Sequence, residues 1–207
     1  SEGPKYGMVV KQAEDEITAA QLTLGSMFMG SRAFTATSGG GYDLMTETVS
    51  LSGMTETPWV CAMCQRPGPA TGLPTWTAQA DLNMVIHSSH GEFARLVMAV
   101  SDPASGYELI QHAFNYAEEF QIPVILLSEK TICEAVTMVD KLDSKIPIKR
   151  GLVTGKNLEK LKSSDRFKIT ENGISLRWLP GTSPAGYYGN GDEHKEDGVI
   201  TEKGEDV

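Results

Sequence analysis

The stretch "VCAMCQRPGPATGLPT", residues 60–75, holds two of the three cysteines of the chain, Cys61 and Cys64, inside a β-rich run. The spacing is shared by zinc and iron–sulfur clamps, by redox dithiols and by strands that merely bury small thiols. A zinc site needs four ligands, usually two such pairs or a pair with two suitably spaced histidines. Here only Cys133 remains, and His87, His90, His112 and His194 form no second knuckle. A reactive dithiol needs its nucleophile at an exposed helix N-terminus, where the dipole lowers the thiol pKa. Alternation through "PWVCAMCQ" (58–65) instead puts Trp59, Cys61 and Met63 on one face and Val60, Ala62 and Cys64 on the other. Both faces are apolar, as in a parallel strand covered on both sides. The cysteines are expected to be packing residues, and no metal site is expected.

The loop after that strand carries more chemistry. Arg66 stands at the strand's carboxyl end and opens a stiff Pro/Gly loop, and ligands of open α/β sheets bind outside the carboxyl ends of the strands. A guanidinium offers a bidentate fork to a carboxylate or phosphate. A structural ion pair is the competing explanation for the same arginine.

Outward from this point, β-rich runs alternate with helical patterns, the signature of a parallel sheet with crossover helices. Strands are expected at about 6–12, 32–38, 58–65, 94–100 and 122–127, and helices at about 16–30, 43–53, 76–88, 104–120 and 130–140. Ile17, Ala20, Leu24 and Phe28 make one stripe at helical spacing. Asp102-Pro103 is a helix start, an acid at the N-cap followed by proline in the first turn. The α/β domain is expected over 1–141. Residues 142–207 read as an extended connecting segment, with a hairpin around Glu171-Asn172-Gly173 within 166–181 and a charged, Gly-rich tail.

Length and charge bound the function. With 207 residues and 40% hydrophobic content the chain can build one good-sized core. A net charge of −9 argues against nucleic-acid or anionic-membrane partners, which need clustered Lys and Arg. The apolar runs are shorter than the roughly 20 residues that span a bilayer. Three cysteines without a disulfide framework, and no signal peptide, fit a reducing cytoplasm.

Three further stretches invite functional readings. Glu14, Asp15 and Glu16 lie where a helix begins; acids there suit the helix dipole, yet three exceed what a cap requires. "TATSGGGYDLM" (35–45) is a glycine-rich turn that could cradle phosphate with backbone N–H groups, though it matches neither a dinucleotide fingerprint nor a P-loop. Equally, its glycines could allow close approach by another chain. His87, His90 and Glu92 make a metal-like trio, but at a helix end before a strand a metal is disfavoured.

Taken in order, "VVKQAEDEITAA", "RAFTATSGGGYDLMTE", "GMTETPWVCAMCQRPGPATGLPT", "QADL" and "SHGEF" resemble the α subunit of the 2-oxoacid:ferredoxin oxidoreductases. The resemblance continues through "AFNYAEEFQIPVILLSEK", "ITENGISLRWLPGT" and "GDEHKEDGVITE", so it covers nearly the whole chain. It implies the pyrimidine-binding α/β fold of a thiamine diphosphate enzyme. By position in the family's motif, Glu16 is the glutamate that hydrogen-bonds N1′ of the aminopyrimidine so that the C2 proton can be removed. Arg66 matches the arginine that holds the 2-oxo acid carboxylate. Ser38 and Gly39, in the glycine-rich turn, join Glu16 as expected cofactor contacts.

The resemblance also implies what lies elsewhere. A β subunit is expected to hold the diphosphate and Mg²⁺, and the iron–sulfur cluster that passes electrons to ferredoxin is expected on partner subunits. The implied activity is oxidative decarboxylation of a 2-oxo acid with CoA, in a hetero-oligomer, with 2-oxoglutarate slightly ahead of pyruvate as substrate. Relatives carry a threonine-bearing segment upstream and a further domain downstream, so the chain reads as a fragment or shortened product that is not active alone. Two rivals stand beside this reading: a non-catalytic interaction module that has kept the fold, and a metal- or redox-active CxxC protein.

Overall fold

The computed structural model describes residues 2–143 and 145–206. In chain order the elements are α1 (Glu16–Phe28), β1 (Thr35–Thr37), α2 (Gly39–Met54), β2 (Trp59–Gln65), α3 (Leu82–His87), β3 (Leu96–Ala99), α4 (Pro103–Phe120), β4 (Pro123–Glu129) and α5 (Lys130–Glu134). The four strands form one parallel sheet in the order β1-β2-β4-β3. Its centre is the β2·β4 pair, in register from Trp59↔Pro123 to Gln65↔Glu129.

The expected alternation of β2 is what builds the core. Trp59, Cys61 and Met63 pack on one face with Ala20 and Leu24 of α1, Tyr42, Met45 and Val49 of α2, and Val85 of α3. Val60 lies on the other with Val124 and Leu126 of β4, against Ala113 and Ala117 of α4. The buried Trp59 indole N–H is satisfied by the Ala20 carbonyl at 3.2 Å, so its large apolar surface leaves water without stranding its one donor. α4 begins as anticipated: Asp102 and Ser105 form a reciprocal capping box.

Several expected elements differ, each for a physical reason. Residues 6–12 form no strand among the described residues; Gly3–Tyr6 is a 3₁₀ turn, and Tyr6, Met8, Val9 and Val10 are exposed, so the run buries no face that would hold it as a strand. The glycine-rich turn is the first turn of α2, closed by the Tyr42 N–H on the Ser38 carbonyl at 2.8 Å. The helix expected over 76–88 is confined to Leu82–His87, and that expected over 130–140 stops at Glu134. Val136 and Met138 beyond it are fully exposed and offer no packing face. The hairpin expected over 166–181 keeps its turn at Thr170–Gly173 but carries no paired strands. Its place is taken by buried arginines.

Those arginines fasten residues 146–201 to the rim where the strands begin. Glu118, near the end of α4, is 1% exposed. It meets Arg32 at 2.7 Å, Arg150 at 2.9 Å and Arg177 at 3.5 Å. Arg166 is equally buried; it reaches Glu56 at 3.1 Å and the Thr55 carbonyl at 3.0 Å, and lies over the Phe167 ring. Burial pulls the Arg177 pKa down to about 10, with Glu118 acting the other way. Gly151, at φ 57°, brings backbone so close to the Glu118 carbonyl that a Cβ would lie 2.2 Å from it. Among the described residues no helix is long and apolar enough to cross a membrane.

Candidate functional site

The opposite rim, where parallel strands end and helices start, is built differently. Asp15 takes the N-cap of α1, its carboxylate accepting from the Thr18 N–H at 2.7 Å. That hydrogen bond holds the Asp15 carboxyl below its ordinary pKa. Of the three consecutive acids, one therefore does the capping. Glu16 comes next as the first residue of the helix, half-buried and not engaged in the cap.

Glu16 is directed at the start of α2. A Cβ placed on Gly41 would lie 2.1 Å from Thr37 Oγ1 and 3.1 Å from Glu16 Oε1. Only a glycine fits there without displacing the hydroxyl and the carboxylate. Ser38 is the N-cap in extended conformation, with no side-chain capping bond, so the first N–H groups of a 16-residue helix are left for another acceptor. This is a cradle that a side chain at Gly41 would fill, beside a carboxylate with no hydrogen-bond partner among the described residues.

Arg66 emerges from the carboxyl end of β2 as anticipated. Its Nε is buried with no hydrogen-bond partner, as are those of Arg150, Arg166 and Arg177; unlike them, Arg66 has no carboxylate within 4 Å among the described residues, a lack that a ligand carboxylate would relieve. The loop after it is compact. The Leu73 N–H closes on the Pro67 carbonyl at 3.1 Å, and Gly72, at φ 56°, leaves no room for a Cβ, which would meet that carbonyl at 1.8 Å. The loop lies over α2, with Gly40 against the Ala70 carbonyl. Thr77 Oγ1 donates to Glu129 Oε2 at 2.7 Å, pinning the loop to the end of β4.

One residue here has no role assigned from the sequence, although it lies in the motif "QADL". Asp81 precedes α3, and its carboxylate faces Gly39, a Cβ on which would be 3.3 Å from Asp81 Oδ2. That oxygen is buried without a partner. Burial raises the Asp81 pKa and Asp43 adds to the effect, while the backbone N–H and guanidinium of Arg66 oppose it. Glu16, Thr37, Ser38 to Gly41, Arg66 and Asp81 thus form a continuous chain of neighbours along one rim.

The remaining candidates lie apart. Cys61 is fully buried in the core, and burial pushes its thiol pKa far up. Cys64 sits 3.4 Å from the thiol of Cys133, not against Cys61, and its pKa is pushed up to about 12 by burial and by that neighbour. His90 and Glu92 line a cavity of about 560 Å³ with Glu47, Glu193 and His194, beside the C-terminal half of α2. Among the described residues no group of three or more His, Cys, Asp or Glu could hold a metal ion.

The parallel sheet, covered by helices on both faces and open at a glycine-lined rim where Glu16 and Arg66 have no ion-pair partner among the described residues, is an α/β domain of the doubly covered class. The family model described as "Pyruvate flavodoxin/ferredoxin oxidoreductase, thiamine diP-bdg" matches residues 2–205, and the chain belongs to that family. It is 43% identical over 201 residues to the 2-oxoacid:ferredoxin oxidoreductase 1 subunit alpha of Sulfurisphaera tokodaii, covering 96% of this chain and 31% of the relative. It is 38% identical over 143 residues to the 2-oxoglutarate synthase subunit KorA of Methanothermobacter marburgensis, covering 68% of this chain and 38% of the relative. A 2-oxoglutarate:ferredoxin oxidoreductase from Magnetococcus marinus, solved with 2-oxoglutarate, coenzyme A and succinyl-CoA bound, superposes with a TM-score of 0.86 at 35% identity, over 99% of this chain and 35% of that one. The chain spans about a third of the length of these relatives.

Proposed function

We propose that this chain is the pyrimidine-side segment of a 2-oxoacid:ferredoxin oxidoreductase. In the full assembly a 2-oxo acid and CoA become acyl-CoA and CO₂, and two electrons pass to ferredoxin. The observation that carries the reading is the division of labour among the acids: Asp15 caps α1, leaving Glu16 free at a cradle where only a glycine fits. Thiamine diphosphate, when bound, supplies the carbon nucleophile and electron sink of such reactions. Glu16 would hold a proton at N1′ of the aminopyrimidine, and Ser38 and Gly39 would border the ring.

Arg66 receives the substrate carboxylate on its guanidinium and so orients the neighbouring carbonyl, lowering the barrier by positioning. The β subunit, Mg²⁺, the iron–sulfur cluster and ferredoxin are assigned to partner chains of a hetero-oligomer in a reducing cytoplasm. 2-Oxoglutarate is the favoured substrate, because two of these relatives are named for it.

The test is made in the assembled complex. Glu16→Gln is expected to abolish exchange of the thiamine C2 proton, read by proton NMR; exchange at the wild-type rate removes the assignment. For Arg66→Leu, hydrogen bonds to a charged group are each worth about 1.5–3 kcal/mol, so KM for the 2-oxo acid should rise about tenfold to a hundredfold. Purification of this chain without thiamine diphosphate and without an iron–sulfur chromophore in its complex would favour the non-catalytic module instead.

A further inference from the structure

We infer that Asp81 is a positioning residue for Arg66, fixing the backbone from which the guanidinium projects. The inference rests on the function proposed above for Arg66. Its starting point is an anomaly: Asp81 occupies the N-cap position of α3 but makes no capping bond to it. Aspartate is favoured at an N-cap because its carboxylate satisfies an orphan N–H of the following turn. Here the side chain has turned away from its own helix.

Three contacts say where it went. The Asp81 backbone N–H donates to the Gln65 side-chain carbonyl Oε1 at 3.1 Å, and Gln65 is itself buried at the end of β2. The Arg66 backbone N–H and guanidinium act on the Asp81 carboxyl against burial, which on balance raises its pKa. The carboxylate rests against Gly39, where there is no Cβ to push it back. Gln65 and Asp81 therefore clasp the two ends of the Pro/Gly loop, and Arg66 is the first residue inside the clasp. Because the last β2 residue and the first α2 residue are both engaged, Arg66 is placed relative to the cradle that faces Glu16.

Asp81 and Arg66 make no ion pair within 4 Å among the described residues, and each retains a buried unpartnered atom, Oδ2 and Nε. The guanidinium is thus aimed without being neutralised, which is what a receiver of carboxylates requires. Asp43, on the exposed side of α2, and Arg66 are the charged groups that act on Asp81.

The experiment compares Asp81→Ala, Asp81→Asn and Arg66→Leu in the assembled complex. The readouts are KM and kcat for the 2-oxo acid, its Kd by equilibrium dialysis, thiamine C2 proton exchange, and the melting curve. Asp81→Ala should raise KM and Kd about tenfold, the scale of a misplaced binding group, with kcat and C2 exchange near wild type. Asp81→Asn, which keeps an acceptor oxygen of the same shape, should restore KM to near wild type. If Asp81→Ala leaves KM and Kd unchanged, or lowers kcat and C2 exchange together with binding, or if Asp81→Asn is as damaging as Asp81→Ala, the inference is overturned. Should Asp81→Ala fail to fold, the decision falls to Asp81→Asn: wild-type affinity with a normal melting curve supports the hydrogen-bonded clasp, and lost affinity refutes it. An Arg66→Leu complex with unchanged KM would remove the carboxylate role and this inference with it, whereas a raised KM there beside an unmoved Asp81→Ala would remove only the inference.

Discussion

The two rims of the sheet solve opposite problems with similar residues. Where the strands begin, buried arginines are ion-paired: Arg32, Arg150 and Arg177 share Glu118, and Arg166 is taken up by Glu56 and the Thr55 carbonyl. Where the strands end, Arg66 has no ion-pair partner among the described residues. An arginine enclosed by acceptors holds a fold together, and one left short of them is available to a ligand. Buried charge is costly unless paired, so the unpaired case has to be sustained by the surrounding structure. The cavity formed with His90 and Glu92 lies toward the ion-paired rim, where Glu56 holds Arg166, and away from Arg66 and Glu16.

Glu118→Ala breaks the comparison hardest. It leaves three guanidinium groups facing one another without their shared acid, and loss of one partner from a buried pair costs about 3–5 kcal/mol. Denaturant unfolding should show that loss, and limited proteolysis should open within residues 142–207 before the sheet is cut. Equal protection of both regions would mean that the arginines do not fasten the segment. At the small end, Asp102→Ala on the open rim removes the capping box of α4 and should lower the melting temperature by a few degrees. The Ser105 N–H holds the Asp102 pKa below its ordinary value, so the cap contributes fully above the unfolded-state pKa and is lost as pH falls through the folded one. The difference between variant and wild type should therefore vanish in acid; a gap that persists there would assign the loss to something other than the charged cap.

The sheet was legible because its central strands are covered on both faces and so read as continuous apolar runs. The Cys61/Cys64 question resolved for the same reason: alternation in "PWVCAMCQ" is satisfied by two buried layers. The segment from 166 to 181 was misread because an arginine in an alternating pattern suggests a solvent face. In the structure Arg166 and Arg177 are buried while Ile169 is 91% exposed, so the polar pattern there is inverted by ion pairing. Residues 39–41 read as a turn because glycine is a poor helix former; at Gly41 the absence of a side chain is instead demanded by Thr37 and Glu16, and at Gly39 Asp81 leaves a Cβ little room. Glu16 could be singled out from its acidic neighbours only by resemblance, until Asp15 was seen to cap. Asp81 lay within the motif "QADL" but drew no role of its own, since an aspartate before a helix looks like an ordinary cap.

The loop between Gln65 and Asp81 is tied at its base, at its waist by Leu73 on Pro67, and at its far side by Thr77 on Glu129. Its conformational entropy is therefore lost when the chain folds and not when a ligand arrives. For Arg66 this means association with little ordering penalty and a fast approach to equilibrium, the behaviour of a preformed receptor. Such a loop also has little freedom to reshape itself around a second kind of ligand. Selectivity among 2-oxo acid side chains must then come from groups that meet the far end of the molecule.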